Sequence, residues 1–97
     1  MTYAHTIAAL ADPTRRAIWQ RLRKRELSVG DVARAARISQ PAASQHLRVL
    51  REARLVRHRS EGTRRYYAAS TQGLAELRRW VESMWDDVLS AYGEGDT

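Results

Sequence analysis

Three observations predict a mainly α-helical chain with one small β-hairpin. Apolar residues recur at three- and four-residue spacing in separate stretches, most of them opened by a capping side chain or an early proline. Between residues 55 and 68 two β-compatible runs flank a glycine-containing turn. At 97 residues the chain supports one core and not two, so a single domain over 1–97 is expected, without repeats or linkers.

The elements follow in order. Tyr3, Ile7 and Leu10 sit at helical spacing, and Asp12-Pro13 then reads as an N-cap with a proline in the first turn of a second helix. That helix runs to about Arg25, with Ile18 and Leu22 four apart, Ala17 beside them, and Arg15, Arg16, Arg21, Arg23, Lys24 and Arg25 polar; Trp19 fits either the core or a flank against another chain. Ser28-Val29-Gly30-Asp31 is a weaker relative of the capping box, opening a helix of about two turns. Ser39 with Gln40-Pro41 caps the next, which reaches about Ala53. Turning about 100° per residue places Ala43, Leu47, Leu50 and Arg54 on one side of it and Gln40, Pro41, Ser44, Gln45 and Arg48 on the other.

Leu55–Arg59 and Arg64–Ala68 then form a hairpin around residues 60–63. Thr71 is placed to cap a last helix over about 71–92, carrying Leu74, Leu77, Val81, Met84, Trp85, Val88, Leu89 and Tyr92. Its apolar stripe is too wide for one packing partner in so small a domain. The tail 93–97 has two glycines and no apolar anchor, so it is expected to fray. About five helices and a two-stranded hairpin in this order describe a winged helix-turn-helix.

Charge indicates the partner. The formal net charge is +6, and residues 15–65 hold 15 Arg/Lys against 4 Asp/Glu, whereas residues 66–97 hold 2 against 6. Sixteen of the 17 cations are arginine, whose planar fork suits phosphates and guanine edges. Helix 40–53 would enter the major groove, with Gln40 or Gln45 facing base edges, Ser39 and Ser44 facing bases or phosphates, and Arg48 and Arg51 on phosphates. Arg57, Arg59, Arg64 and Arg65 flank the hairpin turn. Successive strand residues face opposite ways, so Arg64 and Arg65 are not expected to point at one groove together, and at most one is a base or minor-groove reader, with Arg64 the candidate. His46 lies between core and groove, suited to packing and, as the sharper alternative, to a DNA contact. The bland reading of the arginines is a solvated charged face, but their place on the helix pair and hairpin favours double-stranded DNA.

The stretches ALADPTRRAI, ELSVGDVA, ISQPAASQHLRVLREARLV and EGTRRYYA resemble the ArsR family of winged-helix repressors over roughly residues 3–92. The resemblance implies a homodimer built from the first and last helices, here through Tyr3, Ile7, Leu77, Val81, Met84, Trp85, Val88 and Leu89. Each half would read one arm of a palindromic operator and repress by blocking promoters. It places Gln40, Ser44 and Gln45 towards the groove, with Pro41 where the family often has another serine.

The chain departs from the family in sensing. Ser28 and Gly30 stand where arsenic- and cadmium-type members carry a cysteine pair, and the chain has no cysteine. No histidine follows His58, so the zinc site of the last helix is also missing. A low-specificity site from His5 of one chain and Glu82, Asp86 or Asp87 of another is the remaining metal alternative; the preferred reading is an exposed histidine and a solvated acidic face. Trp80, Trp85 and Tyr92 are read as packing rather than as a ligand pocket. No cofactor or metal is therefore expected, and no effector is named.

Other function classes fare less well. The three histidines fall on three separate elements, so no catalytic grouping emerges. RNA-binding and protein-interaction winged helices are the alternatives. The first would want stacking aromatics on the basic face, where only Tyr66 and Tyr67 qualify; the second would not need so much arginine there. No apolar run has membrane-span length and no basic-then-apolar leader opens the chain, so a cytoplasmic protein with no membrane partner is expected.

Overall fold

The computed structural model describes residues 3–93, which run α1 (Tyr3–Ala11), α2 (Pro13–Leu22), β1 (Leu27–Ser28), α3 (Val29–Ala36), α4 (Gln40–Glu52), β2 (Val56–Glu61), β3 (Arg64–Ala69) and α5 (Gln72–Tyr92). Tail residues 94–97, expected to fray, lie outside the described residues.

Three helix starts are held by their own side chains. Asp12 accepts from the Arg15 amide at 2.9 Å, Ser28 from Asp31 at 3.1 Å and Ser39 from Ala42 at 3.2 Å, and Pro13 and Pro41 sit in first turns that need no amide partner. The expected cap at Thr71 does not form. Thr71 already has helical backbone (φ −89°, ψ −9°), which turns its hydroxyl away from the first-turn amides, and the Gln72 amide donates to Ser70 Oγ at 3.4 Å instead.

Two further differences have one cause. Helix α2 stops at Leu22 rather than near Arg25, and the sheet has three strands rather than two, ordered β1-β3-β2 and antiparallel. Leu27 pairs with Tyr67 and Ser28 with Tyr66, so the chain must leave the helix after Leu22 to reach the sheet edge. The amides of Lys24 and Arg25 both donate to Arg21 O, tightening the exit. The hairpin turn is also shorter than the sequence suggests: β2 and β3 pair up to Glu61 and Arg64, leaving Gly62-Thr63, with Gly62 at φ 63°.

Helices α3 and α4 end alike. Arg37 (φ 59°) and Arg54 (φ 60°) adopt the left-handed conformation, and the following amides, Ile38 and Leu55, donate back to Ala33 O and Leu50 O. The chain thereby reverses sharply between α3 and α4 and again between α4 and the hairpin.

Ile18, Leu22, Val32, Ala43, Leu47, Leu50, Leu55 and Val56 form the core that α2, α3, α4 and the sheet enclose. Trp19 belongs to it: the ring is buried and its Nε1 donates to Leu55 O at 2.9 Å. Helix α5 is different. Gly73 is its only buried residue, while the helix runs on for 21 residues. The described chain measures 55 × 23 × 21 Å with a radius of gyration of 16.3 Å, against about 12.5 Å for a compact domain of this length.

Gly73 fixes how α5 leaves the body. Its amide donates to Arg54 O at 2.9 Å and its carbonyl accepts from Thr6 Oγ1 at 3.4 Å. A Cβ on Gly73 would stand 2.4 Å from Ala53 O and 3.1 Å from the Arg54 carbonyl, all backbone atoms that cannot swing aside. Gly73→Ala should therefore cost about 1–3 kcal/mol of stability through forced displacement of α5. Urea unfolding of the two proteins measures it, and a cost below about 0.5 kcal/mol would show that the crossing relaxes freely.

Candidate nucleic-acid interface

Helix α4 presents two unlike faces because its sequence alternates at helical spacing. Ala43, Leu47 and Leu50 are fully buried, while Ser39, Gln40, Pro41, Ser44, Gln45, Arg48 and Arg51 are exposed. The amino-terminal half of the outer face carries only short or amide side chains, and the arginines come after it. Between α4, the start of α3 and the hairpin lies an open groove bordered by Gly30, Arg34, Gln40, Ser44, Arg48, Arg51, Arg64 and Arg65. The structure thus brings Gln40, Ser44, Arg48 and Arg51 of α4 together with Arg64 and Arg65 of the hairpin, while Ser39, Gln45, Arg57 and Arg59 do not border this groove.

Arg64 and Arg65 both border this groove although they leave β3 on opposite faces. Both follow the Gly62-Thr63 turn directly, where long side chains reach around the strand end. Arg57, Arg64 and Arg65 are exposed, and their side chains make no hydrogen bond or ion pair among the described residues.

Arg59 is placed quite differently. Its Nε and Nη2 donate to the two carboxylate oxygens of Glu26 at 3.0 and 2.8 Å, its Nη1 donates to Glu61 at 2.8 Å, and its guanidinium lies 4.9 Å from the Tyr66 ring centre. Hydrogen bonding from Arg59 holds the Glu26 carboxyl below its usual range, and the two carboxylates raise the guanidinium further above its own. This clamp ties the turn before β1 to the hairpin. Sequence reasoning treated Arg59 as one of four equivalent cations; the available signal was that Glu26 and Glu61 are two of only four acids in the basic stretch 15–65.

His58 is a second residue that sequence reasoning passed over. Arg51 Nη1 lies 2.8 Å from His58 Nε2, joining α4 to β2, and the imidazole stacks on Tyr67 with ring centres 5.5 Å apart. Burial, with Arg51 and Arg65 adding like charge, pushes the His58 pKa down, so the neutral ring accepts the arginine proton at Nε2. Its Nδ1 is buried without a hydrogen-bond partner among the described residues. His46 is half-buried, its Nδ1 also unpartnered, and it lies close enough to Asp12 to help hold that carboxyl low, after the dominant hydrogen bond from the Arg15 amide.

The positions discussed for metal sensing have structural work. Ser28 caps α3, and Gly30 lies in its first turn beside the Gln40 amide. Ser28 is also the leading cause of the lowered Asp31 pKa, ahead of Arg34. Among the described residues no three His, Asp or Glu side chains converge, and no helix is long and apolar enough to cross a membrane.

A separate surface lies on the terminal helices. Val81, Met84, Trp85, Val88 and Tyr92 form one exposed stripe along α5, with Trp85 and Tyr92 each 66% exposed, while Leu77 and Leu89 are half-buried. Tyr3 and Ile7 on α1 are exposed too, Tyr3 stacking face to face on Trp80 with ring centres 4.3 Å apart. His5 is exposed on α1.

Comparison with known proteins agrees with this arrangement. Residues 10–59 match a family model described as a helix-turn-helix domain. The chain is 50% identical over 86 residues to the HTH-type transcriptional regulator Rv2034 of Mycobacterium tuberculosis, covering 89% of this chain and 80% of that one. It is 40% identical over 78 residues to a transcriptional repressor SmtB homolog of Synechocystis, covering 80% of this chain and 59% of that protein. Among solved structures, a possible transcriptional regulator for arsenical resistance superposes with TM-score 0.73 at 42% identity, covering 88% of this chain and 93% of the other. The homodimeric winged helix-turn-helix DNA-binding domain Mb0332 of Mycobacterium bovis, described as a possible ArsR-family regulator, superposes with TM-score 0.69 at 33% identity, covering 87% and 78%.

The buried imidazole predicts a pH dependence. His58 titrates below its ordinary 6.5 when folded, so the unfolded chain takes up that proton first as pH falls. Its contribution is complete above about pH 6.5 and is lost progressively below it, whereas the lowered carboxylates act only in the range below about 4.5. Urea unfolding between about pH 7.5 and 5 should show a smaller loss of stability for His58→Gln than for the parent protein; parallel profiles would contradict the burial argument.

Proposed function

Because the chain belongs to the ArsR family of winged helix-turn-helix transcriptional regulators, a family of DNA-binding proteins and not of enzymes, we propose that it is a homodimeric repressor reading a palindromic double-stranded operator. The observation that carries the reading is the groove in which the short, polar face of α4 meets the unpaired hairpin cations. A helix seats deeply in the major groove only if the residues nearest the base edges are short or amide-bearing, which Gln40, Ser44 and Gln45 satisfy.

In this reading Gln40 and Gln45 address base edges, Ser39 and Ser44 address bases or phosphates, and Arg48 and Arg51 hold the phosphate backbone. Arg57, Arg64 and Arg65 supply the wing. Arg59 sets the wing's position through Glu26 and Glu61, because releasing it to a phosphate would leave two carboxylates facing DNA. His46 supports α4 from its half-buried side. Acting on DNA, the protein works in the cytoplasm.

The dimer forms through α1 and α5. A projecting 21-residue helix with one buried residue gains little from its own protomer, and the apolar stripe from Val81 to Tyr92 together with Tyr3 and Ile7 gives a second copy a surface to cover. Mb0332 is homodimeric, which supports self-association. An RNA-binding reading is disfavoured by the tyrosines: Tyr66 lies under Arg59 and Tyr67 is buried, so neither offers a ring face to a base.

Selection of bound duplexes from random sequence should yield a two-fold symmetric motif, and failure to enrich any motif would overturn the reading. Gln45→Ala should weaken the selected motif while leaving random DNA within about twofold, whereas Arg65→Ala should weaken both and lower the salt slope of the dimer by about 2, one contact from each protomer. Equal losses on both DNAs from Gln45→Ala would remove its base-reading role. Val88→Asp, placing a charge on the α5 stripe, should convert the dimer to monomer in sedimentation and abolish tight binding; an intact dimer would refute the interface.

A further inference from the structure

A second basic surface lies away from the groove. The carboxy-terminal part of α2, the turn over residues 23–26, β1 and the outer face of α3 enclose a cleft of about 880 Å³, open along one side. Arg21, Arg23, Lys24, Arg25 and Arg34 line it, with Asp31 as the one acid. Asp31 is already occupied, ion-paired with Arg34 and hydrogen-bonded at the Ser28 cap. Arg23 is fixed over the Trp19 ring at 5.4 Å. Arg21, Lys24 and Arg25 are exposed, and their side chains make no hydrogen bond or ion pair among the described residues.

Apart from Asp31, which is paired with Arg34, no acid lines the cleft to offset these charges. Its remaining walls, Ala17, Gln20, Leu27 and Ala35, contain no acid and give no rigid polar frame that would select one small molecule. A row of long, exposed cations over a small apolar floor suits phosphate oxygens bound for their charge rather than their identity. Arg34 borders both this cleft and the groove beside α4, so the basic surface is continuous around α3.

We propose that the cleft between α2 and α3 is a second phosphate-binding surface that holds the backbone of duplex DNA outside the segment α4 reads. The inference rests on the DNA-binding reading above. Continuity through Arg34 is what favours flanking DNA over a free polyphosphate. Contacts there lengthen the bound site and add affinity without adding sequence preference.

The test compares the full chain with the exposed-charge variant Arg21→Gln/Lys24→Gln/Arg25→Gln, using the selected motif alone and the motif extended by about ten base pairs at each end. The parent should bind the extended duplex more tightly, with a salt slope steeper by about 4–5, as expected for two or three further phosphates at each of the dimer's two clefts. The variant should lose that gain while keeping the parent's affinity for the short duplex within about twofold. Arg64→Gln, on the wing, should weaken both duplexes equally and serves as the control. No length gain in the parent, or equal losses on both duplexes in the variant, would overturn the proposal. A parent that gains nothing from the flanks but is stabilised by inorganic tripolyphosphate, with the variant unaffected, would assign the cleft to free polyphosphate and overturn the DNA assignment. Failure of the parent to bind even the short duplex would instead overturn the operator reading, and this inference with it.

Discussion

Four elements meet at the reversal over residues 53–55, and the placing of both functional surfaces depends on it. Leu55 is fully buried, its amide closes the end of α4, and its carbonyl accepts from both Trp19 Nε1 and the Ser70 amide at 2.9 Å. Both lone pairs of one carbonyl are thus used to fasten α2 and the end of the hairpin to the end of α4. One residue earlier, Arg54 O receives the Gly73 amide, and the missing Cβ of Gly73 lets α5 cross directly over Ala53. The helix proposed to read DNA, the hairpin beside it and the helix proposed to pair protomers are therefore referenced to three consecutive backbone units. A shift of α5 at a dimer interface would be felt at the end of α4 without any long chain of intermediates.

Electrostatics divides the arginines by neighbourhood rather than by number. In the hairpin, Arg59 is consumed by Glu26, Glu61 and Tyr66, whereas Arg57, Arg64 and Arg65 keep their donors available. Exposed ion pairs of this kind add little stability individually, so the clamp serves geometry more than folding energy. Arg51 is intermediate: its bond to neutral His58 braces α4 against β2 and can be exchanged for a phosphate without stranding a charge. The same sorting separates Arg34, paired with Asp31, from Arg21, Lys24 and Arg25, which have nothing to neutralise them.

Most of the fold was legible because it is locally encoded. Asp12, Ser28 and Ser39 cap helices as their sequence contexts indicate, and the 3.6-residue period of α4 separates Leu47 and Leu50 from Gln40, Ser44 and Gln45. What escaped was set by tertiary contacts. The early end of α2 and the existence of β1 depend on Leu27 finding Tyr67, 40 residues away, and two residues of strand carry no periodic signal. Thr71 looked like a cap, but the Gly73 crossing fixes the entry of α5 and leaves Thr71 helical. In the candidate site, helix periodicity found the face of α4, while the Arg59 clamp and the Arg51–His58 bridge join residues that only the folded hairpin brings together.

In the proposed dimer, pairing through α1 and α5 sets two copies of α4 in successive major grooves of one duplex. Hydroxyl-radical footprinting on a selected operator tests this most directly. The expected result is two symmetric patches of protection centred about 34 Å apart, one helical turn, on one face of the duplex. A single patch, or uniform protection with no two-fold symmetry, would contradict it.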